Sequence, residues 1–325
     1  MLPRIVLLVA ALLLAASPVG SVFGGYAGTL FGTRAAAQPT DVPARPNIVL
    51  IYVDDLGYAD VGAYGARGVE TPHVDRLIEE GLRFTDGHAP AATCTPSRYA
   101  LLTGRYAFRN EASVLAGDAP LLIDTARTTL PGMLQDAGYR TAMIGKWHLG
   151  LGGGNIDWNE PIRPGPREVG FDYSWIMPAT GDRVPAVYVE NGEVVNLDPS
   201  DPIRVSYGES IGETPTGRER PELLRYGADD QHSGTIVNGI SRIGTMAGGH
   251  AARWKDENFP FLMLEKARRF IRGDAPEAGG SAEDRPFFLF FSYHDIHVPR
   301  LPHPRFEGAS EHGVRGDAIV QMDWT

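Results

Sequence analysis

The sequence predicts an α/β fold in which helices flank a central sheet. Three short apolar runs, at residues 48–53, 141–145 and 287–293, have the composition of buried strands. Segments with helical spacing of apolar residues alternate with them, as in layered α/β folds. The chain has 325 residues, of which 43% are hydrophobic and 22% are charged, which is enough for a large core.

Apolar periodicity and capping residues predict the helices. Val74, Leu77, Ile78 and Leu82 fall at helical spacing, and Gly81 lies near the expected end of that helix. The stretch CTPSRYALLTGRY begins another helix, because proline suits a first turn and glycine a C-terminus. The remaining helices are predicted at 130–137, at 261–273 and in the final segment 315–325.

The rest of the chain divides into a leader, a linker and connecting segments. Arg4 and the apolar run 5–16 resemble a secretory signal, and the small residues at 35–37 allow cleavage after Ala37. Cleavage near residues 17–21 and retention of the run as an anchor are the alternatives. We therefore expect export to the periplasm or the medium, with no membrane span in the mature protein. Residues 38–46 form a Pro-rich linker before a domain at 47–325. Residues 150–259 are predicted as long loops and short strands, and 273–285 as a surface loop.

Charge and cysteine content restrict the function further. The formal net charge of -10 argues against broad nucleic-acid binding. Cys94 is the single cysteine, so the chain cannot form an intramolecular disulfide. On composition alone, such a cysteine is more often a small buried hydrophobic residue than a reactive group.

Polar side chains follow each of the three predicted strands. The carboxyl ends of strands in open α/β sheets are where ligands bind, so these residues are candidate site residues. They are Asp54 and Asp55, Lys146 and His148, and His294 and His297.

Each pair has a functional and a structural interpretation. Adjacent acids suit a calcium or magnesium ion, but DDLG is also common turn chemistry. Lys146 and His148 face one side of an extended backbone, where they could hold an anion and move protons; the alternative is a pair of exposed edge residues. His294 and His297 lie in a Pro-containing turn, and a single histidine there would more often be structural.

Cys94 and Arg98 extend this anion-binding pattern. A helix N-terminus attracts anions through its free N–H groups and its dipole. Arg98 lies four residues after Cys94, on the same helix face, and can clamp an oxyanion. Together with Lys146 and the two acids, these residues describe a site for a tetrahedral oxyanion.

The motif CTPSR resembles the Cys-x-Pro-x-Arg signature of type I sulfatases, within the alkaline-phosphatase-like superfamily. PNIVLIYVDDLGYADVGAYG, GYRTAMIGKWHLG and PFFLFFSYHDIHVPR are also similar to that family, in the family's order, so the resemblance spans residues 46–325. It implies an alkaline-phosphatase-like mixed sheet flanked by helices. It also reverses the interpretation of Cys94, because the equivalent cysteine is oxidised to formylglycine by a formylglycine-generating enzyme.

The resemblance assigns a role to each candidate. Asp54 and Asp55 would bind Ca²⁺, or Mg²⁺, with an oxygen of the modified Cys94. One hydroxyl of the formylglycine hydrate would attack the sulfur of an arylsulfatase-type sulfate ester or a sulfated glycan. Arg98 would hold the hydrate, and Lys146 would bind the sulfate oxygens. His148 would assist the second hydroxyl, and His297 would contact the sulfate and the leaving group. His294 has a weaker claim to a role. Covalent catalysis of this kind replaces one difficult step by two easier ones.

Two further expectations concern the leaving group and the end of the chain. The stretch GFDYSWIMPATGDRVPAVYVENGEVV resembles bacterial arylsulfatase-like proteins, which implies that Asp182 and Arg183 line the leaving-group pocket; a structural loop is the alternative. The family carries further metal ligands and a lysine beyond the position of Thr325. As written, the chain is therefore predicted to have an incomplete sheet and little sulfatase activity of its own.

Two other functions fit the same residues. A phosphate or phosphonate ester hydrolase of the superfamily would need similar metal and anion chemistry. A non-catalytic binder of sulfated ligands would keep the pocket and an unmodified Cys94. The identity of the ester depends on loops that the core does not specify.

Overall fold

The computed structural model describes residues 45–274 and 285–325, and it confirms the α/β class. The predicted leader, most of the predicted linker and most of the surface loop at 273–285 lie outside the described residues. No helix in the described ranges is both long and apolar enough to cross a membrane.

The strands form one mixed six-stranded sheet and two separate two-stranded sheets. In chain order the strands are β1 (Ile48–Tyr52), β2 (Arg140–Lys146), β3 (Tyr173–Met177), β4 (Val189–Glu190), β5 (Glu193–Val194), β6 (Arg204–Ser206), β7 (Ile236–Val237), β8 (Ile240–Ser241), β9 (Thr245–Ala247) and β10 (Phe287–Ser292). The main sheet has the order β1-β10-β2-β3-β4-β5. β1, β10, β2 and β3 are parallel, whereas β4 and β5 pair antiparallel. Antiparallel pairs β6–β9 and β7–β8 lie in the region predicted as loops and short strands.

All five predicted helices are present in the described chain. They are α1 (Pro72–Glu80), α2 (Cys94–Thr103), α3 (Leu130–Asp136), α4 (Phe259–Arg272) and α5 (Gly313–Trp324). Gly104 ends α2 in the left-handed region at φ 65°, where glycine carries no Cβ penalty. The side chain of Thr129 accepts a hydrogen bond from the Gly132 N–H and so caps α3.

Helices cover both faces of the main sheet. On one face, Phe259, Met263 and Phe270 of α4 pack with Ile319 and Met322 of α5 against the strands. On the other face, the core is closed by Tyr99 and Leu102 of α2 together with α3. The sheet is therefore sandwiched, and its strand ends are held in fixed positions relative to α2.

The prediction of a buried strand at 48–53 was wrong in one respect. β1 forms, but in the described chain it pairs with β10 alone, and Ile51 is 42% exposed. An apolar run indicates a strand without indicating how many neighbours the strand has. The parallel direction of β1 was predicted correctly.

Candidate active site

The carboxyl ends of β1, β10 and β2 meet at one edge of the sheet, and α2 begins there. Asp54 follows β1, Lys146 ends β2 and His294 follows β10. Cys94 is the first residue of α2. The topology thus brings together polar residues that are distant in sequence, as the strand-end pattern predicted.

The carboxylate of Asp54 is the centre of the cluster. Arg98 Nη2 donates to Oδ2 at 3.1 Å, Lys146 Nζ contacts the same oxygen, and Cys94 Sγ lies 3.8 Å from Oδ1. Burial alone would raise the pKa of Asp54, but the positive charges of Lys146 and Arg98 hold it well below its usual value. Asp54 is therefore ionised throughout the physiological range.

The side chain of residue 94 lies among positive groups. Lys146 Nζ donates to Cys94 Sγ at 3.3 Å, and both Lys146 and Arg98 are fully buried. A negatively charged group placed against Cys94 would therefore meet buried cations, where electrostatic interactions are stronger than in water.

Arg98 is fixed by groups besides Asp54. Its Nη1 donates to the Lys146 carbonyl at 2.8 Å and to Ser292 Oγ, and its guanidinium lies 5.1 Å from the centre of the Tyr52 ring. Ser292 Oγ in turn donates to the Lys146 carbonyl at 2.9 Å. The sequence analysis missed Ser292, although its place as the polar last residue of β10, a strand with the sequence FFLFFS, was a signal.

His148 is buried beside the cluster, but its backbone differs from the extended form we expected. At φ 53° the chain turns in the left-handed region, because β2 ends at Lys146. Its Nε2 hydrogen-bonds the Leu115 carbonyl at 2.9 Å, and its Nδ1 has no partner among the described residues. Burial and then the charge of Lys146 place the pKa of His148 well below its ordinary value, so the ring is neutral at pH 7.

His297 and His294 lie next to each other with their rings 5.6 Å apart. His297 Nδ1 is bonded to the Val298 carbonyl at 2.7 Å and to Thr180 Oγ1 at 3.2 Å. His294 is fully buried, and its Nε2 has no partner among the described residues. Burial lowers the pKa of both rings, and Lys146 adds to the effect at His297. His294 therefore packs against the His297 ring and is shielded from solvent.

Asp182 extends the site away from Cys94. Its Oδ2 is bonded to His232 Nε2 at 3.2 Å, while its buried Oδ1 has no partner among the described residues. Burial would raise the pKa of Asp182, but the hydrogen bond from His232 and the charge of Arg183 lower it well below its usual value. Nothing in the sequence around His232, GADDQHSG, predicted this contact.

An open cavity of about 230 Å³ lies beside Asp182. Its wall includes His232, and its other lining residues are Tyr226, Gly227, Asp229, Ile240, Ser241, Val298, Pro299, Arg300 and Val314. Val298 follows His297 directly in sequence, so the cavity adjoins the cluster around Asp54. A ligand with one end at Cys94 has room for a ring-sized group here.

Asp55 is placed differently from Asp54. Its side chain is exposed and its backbone lies in the left-handed region at φ 61°. Within the described ranges, no group of three or more His, Cys, Asp or Glu side chains is arranged to hold a metal ion. The ionised Asp54 and the adjacent Asp55 have the oxygen chemistry that calcium prefers, but calcium takes about six to eight oxygens. The two carboxylates therefore fit part of a calcium site, and their metal role stays a prediction.

The sulfatase family model matches residues 46–325. The chain belongs to the sulfatase family. An N-acetylgalactosamine-6-O-sulfatase from Bacteroides thetaiotaomicron is 51% identical over 283 residues, covering 86% of this chain and 54% of that protein. Human arylsulfatase D is 32% identical, covering 86% of this chain and 49% of that protein.

Solved sulfatase structures confirm the alkaline-phosphatase-like fold. A Bacteroides thetaiotaomicron 6S-sulfatase, solved in work on glycosaminoglycan metabolism, superposes with a TM-score of 0.82 at 50% identity, covering 86% of this chain and 57% of that one. The PsFucS1 sulfatase of Pseudoalteromonas sp. gives a TM-score of 0.54 at 25% identity, covering 86% of this chain and 50% of that one. This sulfatase chain spans about half the length of these relatives.

Proposed function

We propose that this protein hydrolyses sulfate esters at residue 94. The observation that carries the proposal is the convergence of Lys146 and Arg98 on Asp54, with Lys146 Nζ 3.3 Å from Cys94 Sγ. A buried ammonium on the potential nucleophile, with a second buried cation on the neighbouring Asp54, matches the needs of a transition state that carries negative charge on a sulfuryl group. Family membership supports the same reaction.

Lys146 and Arg98 would stabilise negative charge at the site in different ways. Arg98 is held by Ser292 and two carbonyl or carboxylate groups, so its position changes little during a reaction. Lys146 contacts both Asp54 and Cys94, so its ammonium can follow a sulfuryl group bound at residue 94. Donors preorganised in a buried site need little reorganisation as charge develops.

We further propose that Cys94 is converted to formylglycine by a formylglycine-generating enzyme. As an aldehyde hydrate, residue 94 would supply two hydroxyl groups on one carbon, one to attack sulfur and one to release sulfate. Asp54 and Asp55 would contribute oxygens to a calcium ion, which supplies positive charge at the same place.

The neutral histidines suit proton transfer. His148 has its Nδ1 free of partners among the described residues, and a neutral imidazole can accept a proton from a hydroxyl of residue 94. His297 is also neutral, and its Nδ1 donates to the Val298 carbonyl, so its Nε2 is left to accept a hydrogen bond or a proton from a bound group. Burial, and then the charge of Lys146, lowers the pKa of both rings and keeps them neutral before the substrate arrives.

The substrate we propose is a sulfated amino sugar. The related Bacteroides protein is named an N-acetylgalactosamine-6-O-sulfatase, and the cavity beside Asp182 has room for a sugar ring between polar and apolar side chains. Asp182 lines this cavity, so a sugar bound there would lie against a residue whose carboxylate is held in place by His232.

Export remains part of the proposal. Residues 1–37 have the pattern of a secretory signal. N-terminal sequencing of the mature protein from its source should begin after Ala37. A mature protein that begins at Met1 would contradict export by this signal.

Turnover of matched substrates tests the proposed activity. The protein expressed from its complete gene, together with a formylglycine-generating enzyme, should release sulfate from N-acetylgalactosamine 6-sulfate. It should act at least about a hundredfold more slowly on the 6-phosphate, and a Cys94→Ala variant should lose about a thousandfold or more in kcat. Faster hydrolysis of the phosphate would overturn the proposal in favour of a phosphate ester hydrolase.

A further inference from the structure

Thr95 follows Cys94 directly, in the first turn of α2, and its side chain is fully buried. Its hydroxyl group donates to the His148 carbonyl at 2.9 Å and accepts from the Leu115 N–H at 3.3 Å. His148 Nε2 in turn is bonded to the Leu115 carbonyl at 2.9 Å. Three hydrogen bonds therefore join Thr95, Leu115 and His148 in a closed triangle beside residue 94.

The bond to Leu115 determines which nitrogen of His148 carries the proton. A backbone carbonyl can only accept a hydrogen bond, so Nε2 is the donor, and in a neutral imidazole the other nitrogen is then an acceptor. That acceptor is Nδ1, which has no partner among the described residues. The position of the Leu115 carbonyl thus selects the nitrogen that remains for proton transfer.

The backbone on both sides of this bond needs an anchor. Within the described chain, residues 111–129 contain neither helix nor strand, and Val114 beside Leu115 is 39% exposed. His148 has its backbone in the left-handed region, which few residues other than glycine adopt. The Thr95 hydroxyl group is bonded to a backbone group of each residue, so it links the segment that holds the carbonyl to the segment that holds the ring.

We propose that Thr95 is a positioning residue that fixes the tautomer and the orientation of the His148 ring through the Leu115 carbonyl. The inference rests on the proposed function, in which His148 accepts a proton from a hydroxyl of residue 94. The Thr95 hydroxyl group is occupied by two backbone partners, so Thr95 acts through His148 and not on the substrate. A small displacement of a proton acceptor slows a reaction, because the acceptor must stay within hydrogen-bond reach of its proton.

Thr95→Val removes the hydroxyl group and keeps the shape of the side chain. Because the position lies inside CTPSR, the aldehyde content of each variant is measured by mass spectrometry and kcat is expressed per aldehyde. With N-acetylgalactosamine 6-sulfate, kcat should fall about tenfold or more in Thr95→Val, and KM should change less than about threefold. Thr95→Ser retains the hydroxyl group and should keep kcat within about threefold.

Thr129→Val is the matched control. The side chain of Thr129 is also buried, and its hydroxyl group also donates to a backbone carbonyl, of Val169, and accepts from a backbone N–H, of Gly132. Loss of this hydroxyl group should likewise leave buried backbone groups without a partner, yet kcat should stay within about twofold. An equal fall in kcat in the two variants would indicate general loosening of the fold and would overturn the inference.

A second background separates positioning of His148 from other effects of the hydroxyl group. If Thr95 acts through His148, Thr95→Val should change kcat by less than about twofold in the His148→Asn variant. An equal fall in both backgrounds, or an unchanged kcat in Thr95→Val alone, would overturn the inference and leave the proposed function intact.

NMR of the histidine ring nitrogens tests the positioning without turnover. In protein with isotopically labelled histidine, the His148 signals are assigned by their loss in His148→Asn, and they should show one protonated and one unprotonated nitrogen. Thr95→Val should shift the two signals towards each other, as the tautomers mix, and unchanged signals would overturn the inference. If the unaltered protein hydrolyses no sulfated sugar, the proposed function fails, and these signals still decide whether Thr95 positions His148.

Discussion

Arg98 Nη2 donates to Asp54 Oδ2 at 3.1 Å, and both side chains are buried at the junction of α2 and β1. The pair joins the helix that carries Cys94 to the strand that carries Asp54. Removing one partner of a buried ion pair leaves the other charge without full compensation, which is typically more costly than the pair is worth.

Arg98→Met should therefore destabilise the protein by about 3–5 kcal/mol in the free energy of unfolding, measured by urea denaturation. Arg76→Met is the control, because Arg76 and Glu80 form an exposed pair on α1 at 3.9 Å and should contribute less than about 0.5 kcal/mol. Equal losses in the two variants would show that the Arg98–Asp54 contact is not a structural link.

Lys146 should matter for the reaction more than for substrate binding. If its ammonium stabilises charge that develops at residue 94, Lys146→Met should lower kcat by about 10²–10³, the range seen when one electrostatic stabiliser is removed. Steady-state kinetics with a sulfated sugar measures this. A variant with an unchanged kcat and a raised KM would instead place Lys146 in ground-state binding.

The protonation of Asp295 should make the free energy of unfolding depend on pH. Burial raises the pKa of Asp295 to about 6, and the hydrogen bond from Gln321 Nε2 opposes the shift only in part. Because the native state holds this proton more tightly than the unfolded chain does, the stability contribution is fully present below the unfolded pKa near 4. It is lost as the pH rises through about 6.

The free energy of unfolding of Asp295→Asn, relative to that of the unaltered protein, should therefore increase by on the order of 3 kcal/mol as the pH rises from 4 to 7. Unfolding free energies at a series of pH values measure the difference. Asp86→Asn, a substitution of the same type at an exposed position, is the control. Parallel stability curves for Asp295→Asn and the unaltered protein would contradict a buried, proton-binding Asp295.

His232 should titrate above the ordinary range of histidine. The hydrogen bond to Asp182 raises the pKa of His232, burial opposes this, and Asp229 adds a smaller rise. Its protonated form therefore stabilises the fold fully below about pH 6.5, and the contribution is lost as pH rises through the higher folded pKa. An NMR titration should place the imidazole above 6.5, and Asp182→Asn should lower its pKa more than Asp229→Asn does. Titration at or below 6.5 in the unaltered protein would contradict the Asp182–His232 contact.

The local patterns of the sequence predicted the elements and the residues at the strand ends. Runs such as 287–293 gave the strands, and CTPSR located the start of α2 at Cys94. These patterns do not show which strands pair with one another or where each strand ends. The pairing of β1 with β10 alone in the described chain depends on contacts between distant segments, and the left-handed backbone of His148 depends on where β2 ends.

The contacts that complete the site were harder to predict for the same reason. Asp182 meets His232 across fifty residues of loops and short strands, where no periodicity specifies the path. Arg300 is charged and lies in a Pro-rich turn, and only the fold shows that its guanidinium has no acidic partner in the described chain and lines a cavity. Such contacts arise from packing of loops, which local sequence does not specify.

Mass spectrometry of the peptide around residue 94 tests the central claim most directly. The protein should be purified from its native source and mapped across residues 84–105. Our account predicts an aldehyde in place of the thiol at position 94 in the active protein. A fully active protein with an unmodified Cys94 would contradict it, because the reacting group would then not be the one that Lys146, Arg98 and Asp54 surround.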